Sequence, residues 1–123
     1  MAFVDDFVAA FNARDLDALA NCVTPDATAR VEGAPFPEEV GRETIRDTSF
    51  AYLLGDAPKL HGEVVRHADT SILLLDEQGR VEVAIQVEEI GGRGRSLVYF
   101  TMPNAPERLM RIARDLGRPV AEP

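Results

Sequence analysis

The chain has 123 residues, enough for one domain whose core needs neither a disulfide nor a metal. Its 21 acidic and 13 basic residues leave a formal charge of −8, which repels nucleic acid and anionic membrane surfaces. A hydrophobic share of 46% argues against disorder, and the single cysteine, Cys22, excludes an intrachain disulfide and a cysteine-rich metal site.

The opening residues, Met1-Ala2-Phe3-Val4-Asp5-Asp6, lack the basic start and apolar run of a signal peptide. No apolar run approaches the ~20 residues needed to span a bilayer, so the expected compartment is the cytoplasm, without membrane contact. Phe3, Val4, Phe7, Val8 and Phe11 recur at helical spacing and predict an amphipathic helix over 2–13. Asp15 reads as the N-cap of a second helix, with Asp17 in its first turn and Leu16, Leu19 and Val23 as its apolar stripe. Thr24-Pro25 ends that helix, and Cys22 within it reads as a small core residue. Ala27 to Gly33 reads as a short strand, followed by a loop marked by Pro35 and Pro37 that would rim a pocket mouth. Residues 42–54 return to helical spacing, with Ile45, Ser49, Tyr52 and Leu53 on one face and Gly55 just past the end.

From Leu60 onward the pattern is that of strands: Leu60–His67, Ser71–Asp76, Arg80–Ile90 and Ser96–Met102. Turn signals at Asp69, Glu77-Gln78-Gly79 and Gly91–Gly94 separate them. Val81, Val83, Ile85 and Val87 alternate with Glu82, Ala84, Gln86 and Glu88, the period-2 pattern of a strand with one buried face. The tail reads as a helix, with Asn104 as cap, Pro106 and Glu107 in the first turn, and Gly117 with Pro119 as stops. Leu109, Ile112, Ala113 and Leu116 line one of its faces. Helices followed by a run of strands predict an α+β fold, with helices packed on a strongly curved antiparallel sheet around an apolar pocket.

The stretch Phe7-Val8-Ala9-Ala10-Phe11-Asn12-Ala13-Arg14-Asp15-Leu16-Asp17-Ala18-Leu19, then Asp26-Ala27-Thr28 and Gly41-Arg42-Glu43-Thr44-Ile45-Arg46, resembles the nuclear transport factor 2-like superfamily. That superfamily includes ketosteroid isomerase and the SnoaL-like polyketide cyclases. The resemblance implies one such domain over 1–123, shaped as a cone-like half-barrel with a pocket at its wide end. It also implies a homodimer joined through the convex face of the sheet, and no cofactor. Ketosteroid isomerase uses a carboxylate base and two acidic hydrogen-bond donors on an enolate oxygen. Its donor tyrosine falls at Phe7, its aspartate base at Val31, and its second donor near Gln86 if the later strands align without a gap. None of the three can titrate, so the resemblance carries the fold and not that activity. Clean alternation also turns Gln86 away from the core, unless a one-residue slip or a bulge intervenes.

Other polar groups compete for a functional role. His61, Glu63 and His67 share one parity of a strand and offer an acid–base pair or part of a metal site, but no third ligand follows, and a solvated sheet surface is the favoured reading. Tyr52 and Tyr99, the two tyrosines, would orient a ligand carbonyl or serve as weak acids if their hydroxyls reached a pocket, and are otherwise core aromatics. Thr48 and Ser49 align with pocket-lining aromatics of the isomerase. Arg42 and Arg46, each followed by an acid, read as a solvent face, and Gly91-Gly92-Arg93-Gly94 as a hairpin turn.

The expected pocket residues are therefore Phe7, Phe11, Val31, Thr48, Tyr52, Gln86 and Tyr99. The leading expectation is a domain that binds a small apolar organic ligand. The alternatives are a cofactor-free isomerase, cyclase or dehydratase, and a non-catalytic protein-interaction module.

Overall fold

The computed structural model describes residues 2–56, 64–68, 71–76, 78–101, 104–115, 117 and 119–120. In chain order these form α1 (Ala2–Asn12), α2 (Leu16–Asn21), β1 (Val23–Val31), β2 (Glu39–Val40), α3, β3 (Val64–Ala68), β4 (Ser71–Leu75), β5 (Val81–Ile90), β6 (Arg93–Thr101) and α4 (Pro106–Asp115). The third helix, α3, is α-helical over Arg42–Ile45 and π-helical over Arg46–Phe50 and Tyr52–Asp56. His61 and Glu63 lie outside the described residues; His67 falls in β3.

Among the described residues the strands make one open six-stranded sheet in the order β2-β1-β6-β5-β4-β3, with helices on it, an α+β half-barrel. Register shifts between Val23 and Thr28, Arg66 and Ala68, Leu74 and Leu75, and Glu88 and Glu89 are the bulge positions at which such a sheet bends. The expected antiparallel sheet needs one correction: β1 runs parallel to β6, with Thr28 beside Ser96 and Val31 beside Tyr99. A tight hairpin forces antiparallel pairing only on strands adjacent in sequence. β1 and β6 are joined through all the intervening elements, which supply the long crossover a parallel pair needs.

The apolar spacing of α1 buries Phe3, Val4, Phe7, Ala10 and Phe11 and leaves Asp5, Asp6 and Asn12 outside. The backbone N–H of Phe3 donates to the Glu89 carboxylate at 3.2 Å, tying the start of α1 to β5. Asp15 caps α2 as its sequence position predicts, its Oδ1 accepting from the Ala18 N–H at 3.0 Å. Helix α2 stops before Pro25, but β1 starts at once at Val23 and not at Ala27. The reason lies in β6: the Gly94 N–H reaches the Cys22 carbonyl at 2.9 Å and gives the early residues a strand partner.

The sheet is buried on two faces. Inward, Ile72, Leu74, Val83, Ile85, Val87, Leu97 and Tyr99 join the core formed by α1, α2 and α3. Outward, Leu73, Leu75, Ala84 and Phe100 pack with Leu109, Ile112 and Ala113 of α4. The unbroken run Ile72-Leu73-Leu74-Leu75 is the sequence trace of a strand covered on both sides. Part of the face that the resemblance assigns to dimer contact is thus occupied by α4.

Candidate functional site

Tyr99 stands on the inward side of β6, between Val31 of β1 and Ile85 of β5. It is 4% exposed, and among the described residues its buried hydroxyl oxygen has the Ser49 hydroxyl near it but makes no hydrogen bond of full geometry. Burial pushes its ionisation well above that of an ordinary phenol. The nearby Ser49 hydroxyl pulls it back, and the charge of Glu39 raises it again. At neutral pH Tyr99 is therefore a neutral donor.

Two elements bring polar groups to this end of the core. β2 sits on the sheet edge with Glu39 beside Ala29 of β1, and the Ser49 hydroxyl of α3 donates to the Glu39 carboxylate. The turn between β2 and α3 is fixed at Gly41, whose φ of 98° suits glycine and whose N–H reaches the Ala27 carbonyl at 2.7 Å. Arg42 then fastens α3 to β1, its Nε and Nη2 donating to the Val23 carbonyl at 3.0 and 2.6 Å. The same core holds a cluster of aromatic rings among its aliphatic side chains. Phe7 lies 5.6 Å from Phe3, 6.1 Å from Phe11 and 5.8 Å from Phe50, ring centre to ring centre, the last edge-on.

The sequence-expected pocket residues divide here. Phe7, Phe11 and Tyr99 are buried in the inner core, and Val31 packs against it half-buried. Thr48 and Tyr52 are corrections. A π turn takes in about one more residue than an α turn, so the face of Ile45 passes to Phe50 and not to Ser49 and Tyr52. Phe50 is fully buried, Tyr52 is 56% exposed, and the exposed Thr48 donates its hydroxyl to the Thr44 carbonyl of its own helix. Gln86 is the third correction. It faces outward, as the alternation of β5 requires, and accepts from Arg108 of α4 at 3.1 Å, while that guanidinium lies 4.9 Å over the Phe100 ring.

Glu39 escaped the sequence analysis because a two-residue strand after Pro35 and Pro37 has no periodic signal. Ser49 was visible only as a smaller residue on a helix, because its partner was not. Cys22 is no nucleophile. Burial and the charge of Asp6 push its thiol up to about 11, Arg93 offsetting part of this, and its Sγ donates to the Ala18 carbonyl. Among the described residues no three His, Cys, Asp or Glu side chains gather as a metal site would require, and no helix is long and apolar enough to cross a membrane.

A family model for the SnoaL-like domain matches residues 4–103, from α1 to beyond the end of β6. The chain belongs to the SnoaL-like domain family. A comparison with curated protein sequences finds no significant match. Solved structures agree with the SnoaL-like fold at low identity. An uncharacterized cystatin-fold protein from Novosphingobium aromaticivorans is 18% identical over 80% of this chain and 97% of its own, with a TM-score of 0.54. A SnoaL-like protein of unknown function from Burkholderia thailandensis is also 18% identical, over 79% and 88%, with a TM-score of 0.55. An NTF2-like protein of unknown function from Cytophaga hutchinsonii is 17% identical over 88% and 91%, with a TM-score of 0.52. In chemical terms, this SnoaL-like core offers one neutral donor, Tyr99, beside a serine-bridged carboxylate, Glu39, on an aromatic wall.

Proposed function

We propose that this SnoaL-like chain binds a small, largely apolar organic molecule against Phe7, Phe11 and Val31, with the Tyr99 hydroxyl holding the molecule's polar end. One observation carries the reading: among the described residues, the buried Tyr99 hydroxyl has no hydrogen-bond partner and lies in the same core cluster as Phe7 and Phe11. Such a group costs about 1–3 kcal/mol if left unmet, and a ligand acceptor relieves it. The test is calorimetric titration with 2-acetonaphthone, a bicyclic ketone, after native mass spectrometry has recorded any molecule retained on purification. The wild type should bind the ketone, and Tyr99→Phe should bind it about 3–10-fold less tightly, the worth of one neutral hydrogen bond. Tyr52→Phe serves as the exposed control and should bind as the wild type does. Equal affinity in Tyr99→Phe would remove the proposed role of the hydroxyl.

A second reading is catalytic: a cofactor-free isomerase, cyclase or dehydratase in which Glu39 accepts a proton and Tyr99 supports the developing oxyanion. It draws on the placement of Glu39, a carboxylate that reaches Ser49 at the Tyr99 end of the core. Turnover of a ketone or ester that survives unchanged in Glu39→Gln would dismiss it. Both readings take the chain as a homodimer. Because α4 covers the outer face over β5 and the Val98–Phe100 part of β6, pairing would use the part of β1 and β6 that carries Thr28, Arg30 and Ser96. Sedimentation of an Arg30→Glu variant as a dimer as stable as the wild type would exclude that surface.

A further inference from the structure

We propose that Glu39 sets the charge selectivity of this site, turning anionic ligands away from Tyr99 and leaving it to neutral acceptors such as ketone, ester or amide carbonyls. The inference rests on the binding reading above and adds to it the class of group that the polar end accepts.

Three observations combine. Tyr99 brings a buried donor to this end of the core that, among the described residues, has no hydrogen-bond partner. The proton of Ser49, the neighbouring hydroxyl, is already committed to the Glu39 carboxylate. Among the described residues, the two arginines of α3 are committed elsewhere: Arg42 to the Val23 carbonyl, and Arg46 to Asp47 at 2.9 Å with Asp17 at 4.0 Å. Among the described residues, a carboxylate docked on Tyr99 would therefore meet the Tyr99 donor and, across a single serine, the negative charge of Glu39. A carbonyl oxygen takes the same phenol proton without that repulsion. Selectivity of this kind comes from what is placed against the wrong ligand as much as from what greets the right one. Glu39 is partly exposed, so solvent screening limits the discrimination to an order of magnitude or so.

The experiment compares 2-acetonaphthone with 2-naphthoate, alike in size and differing in charge, by calorimetric titration. The wild type should bind the ketone at least about tenfold more tightly than the carboxylate. Glu39→Gln should strengthen naphthoate binding about fivefold or more while moving ketone affinity less than about threefold. Glu39→Asp, which keeps the charge, should keep the discrimination, and circular dichroism melts show that each variant is folded. Equal wild-type affinities for the two probes would overturn the selectivity and leave the binding reading standing. So would naphthoate affinity that is unmoved in Glu39→Gln. Ketone affinity indifferent to Tyr99→Phe, or no wild-type binding of either probe, would instead bring down the binding reading and this inference with it.

Discussion

Replacing Tyr99 by phenylalanine removes one oxygen atom and keeps the ring in place beside Val31 and Ile85. A buried hydroxyl stripped of water and given no partner costs about 1–3 kcal/mol, and deleting it recovers part of that. Tyr99→Phe should therefore be more stable than the wild type by about 0.5–2 kcal/mol. In a chain of this length that corresponds to a melting temperature higher by about 2–8 °C. Urea unfolding followed by far-ultraviolet circular dichroism measures the change directly, and an unaltered slope would show that it lies in stability and not in the compactness of either state. The same variant should lose ligand affinity. Gain of stability with loss of binding is the pattern of a group kept for function at the expense of the fold. A Tyr99→Phe protein that is less stable by about 1 kcal/mol or more would refute the reasoning, because the hydroxyl would then be satisfied within the folded chain.

Other perturbations probe the frame that holds Tyr99. Phe7→Ala removes the ring shared by Phe3, Phe11 and Phe50 and should cost about 3–5 kcal/mol in chemical denaturation. Gly33→Ala should destabilise more than Gly91→Ala. Both have positive φ, but a Cβ at Gly33 would stand 2.3 Å from the Asn104 carbonyl oxygen and one at Gly91 meets nothing within 4 Å. Asp76, buried between β4 and β5, accepts from the backbone N–H groups of Gln78 and Arg80 at 2.9 and 2.8 Å and from the Arg80 guanidinium at 2.7 Å. Burial pushes its carboxyl up, but these donors outweigh burial and hold it below the usual carboxylate range. Its contribution is thus present above about pH 4 and lost as the pH falls through the lower folded value, so the deficit of Asp76→Asn seen at pH 7 should close in acid melts. Cys22, with its thiol at about 11, should react with a disulfide reagent at pH 8 about a hundredfold more slowly in the folded protein than in urea.

Where side chains repeat at a fixed period, the sequence was sufficient. Phe3, Phe7 and Phe11 marked the buried side of α1, Asp15 its successor's cap, and Val83, Ile85 and Val87 the inward side of β5, with Gln86 therefore outward. It failed where the period itself changes. The π winding after Ile45 buries Phe50 and turns Tyr52 out, and no residue in Arg46-Asp47-Thr48-Ser49-Phe50 announces that winding. It failed again where an element is too short to have a period, as in β2, and so Glu39 went unseen beside Ser49 and Tyr99. Pairing direction was also hidden, since the residues of β1 read alike for a parallel or an antiparallel partner.

The parallel pairing of β1 with β6 also governs how the chain can come together. Val31 meets Tyr99 across more than half the length of the polypeptide, so the middle of the sheet cannot close until almost all strands exist. Such non-local pairing slows folding toward the millisecond-to-second range and leaves the half-made sheet with bare edges in the meantime. A nascent chain halted after β5 would hold β1 with only β2 at its side, and the Tyr99 end of the core would have no floor.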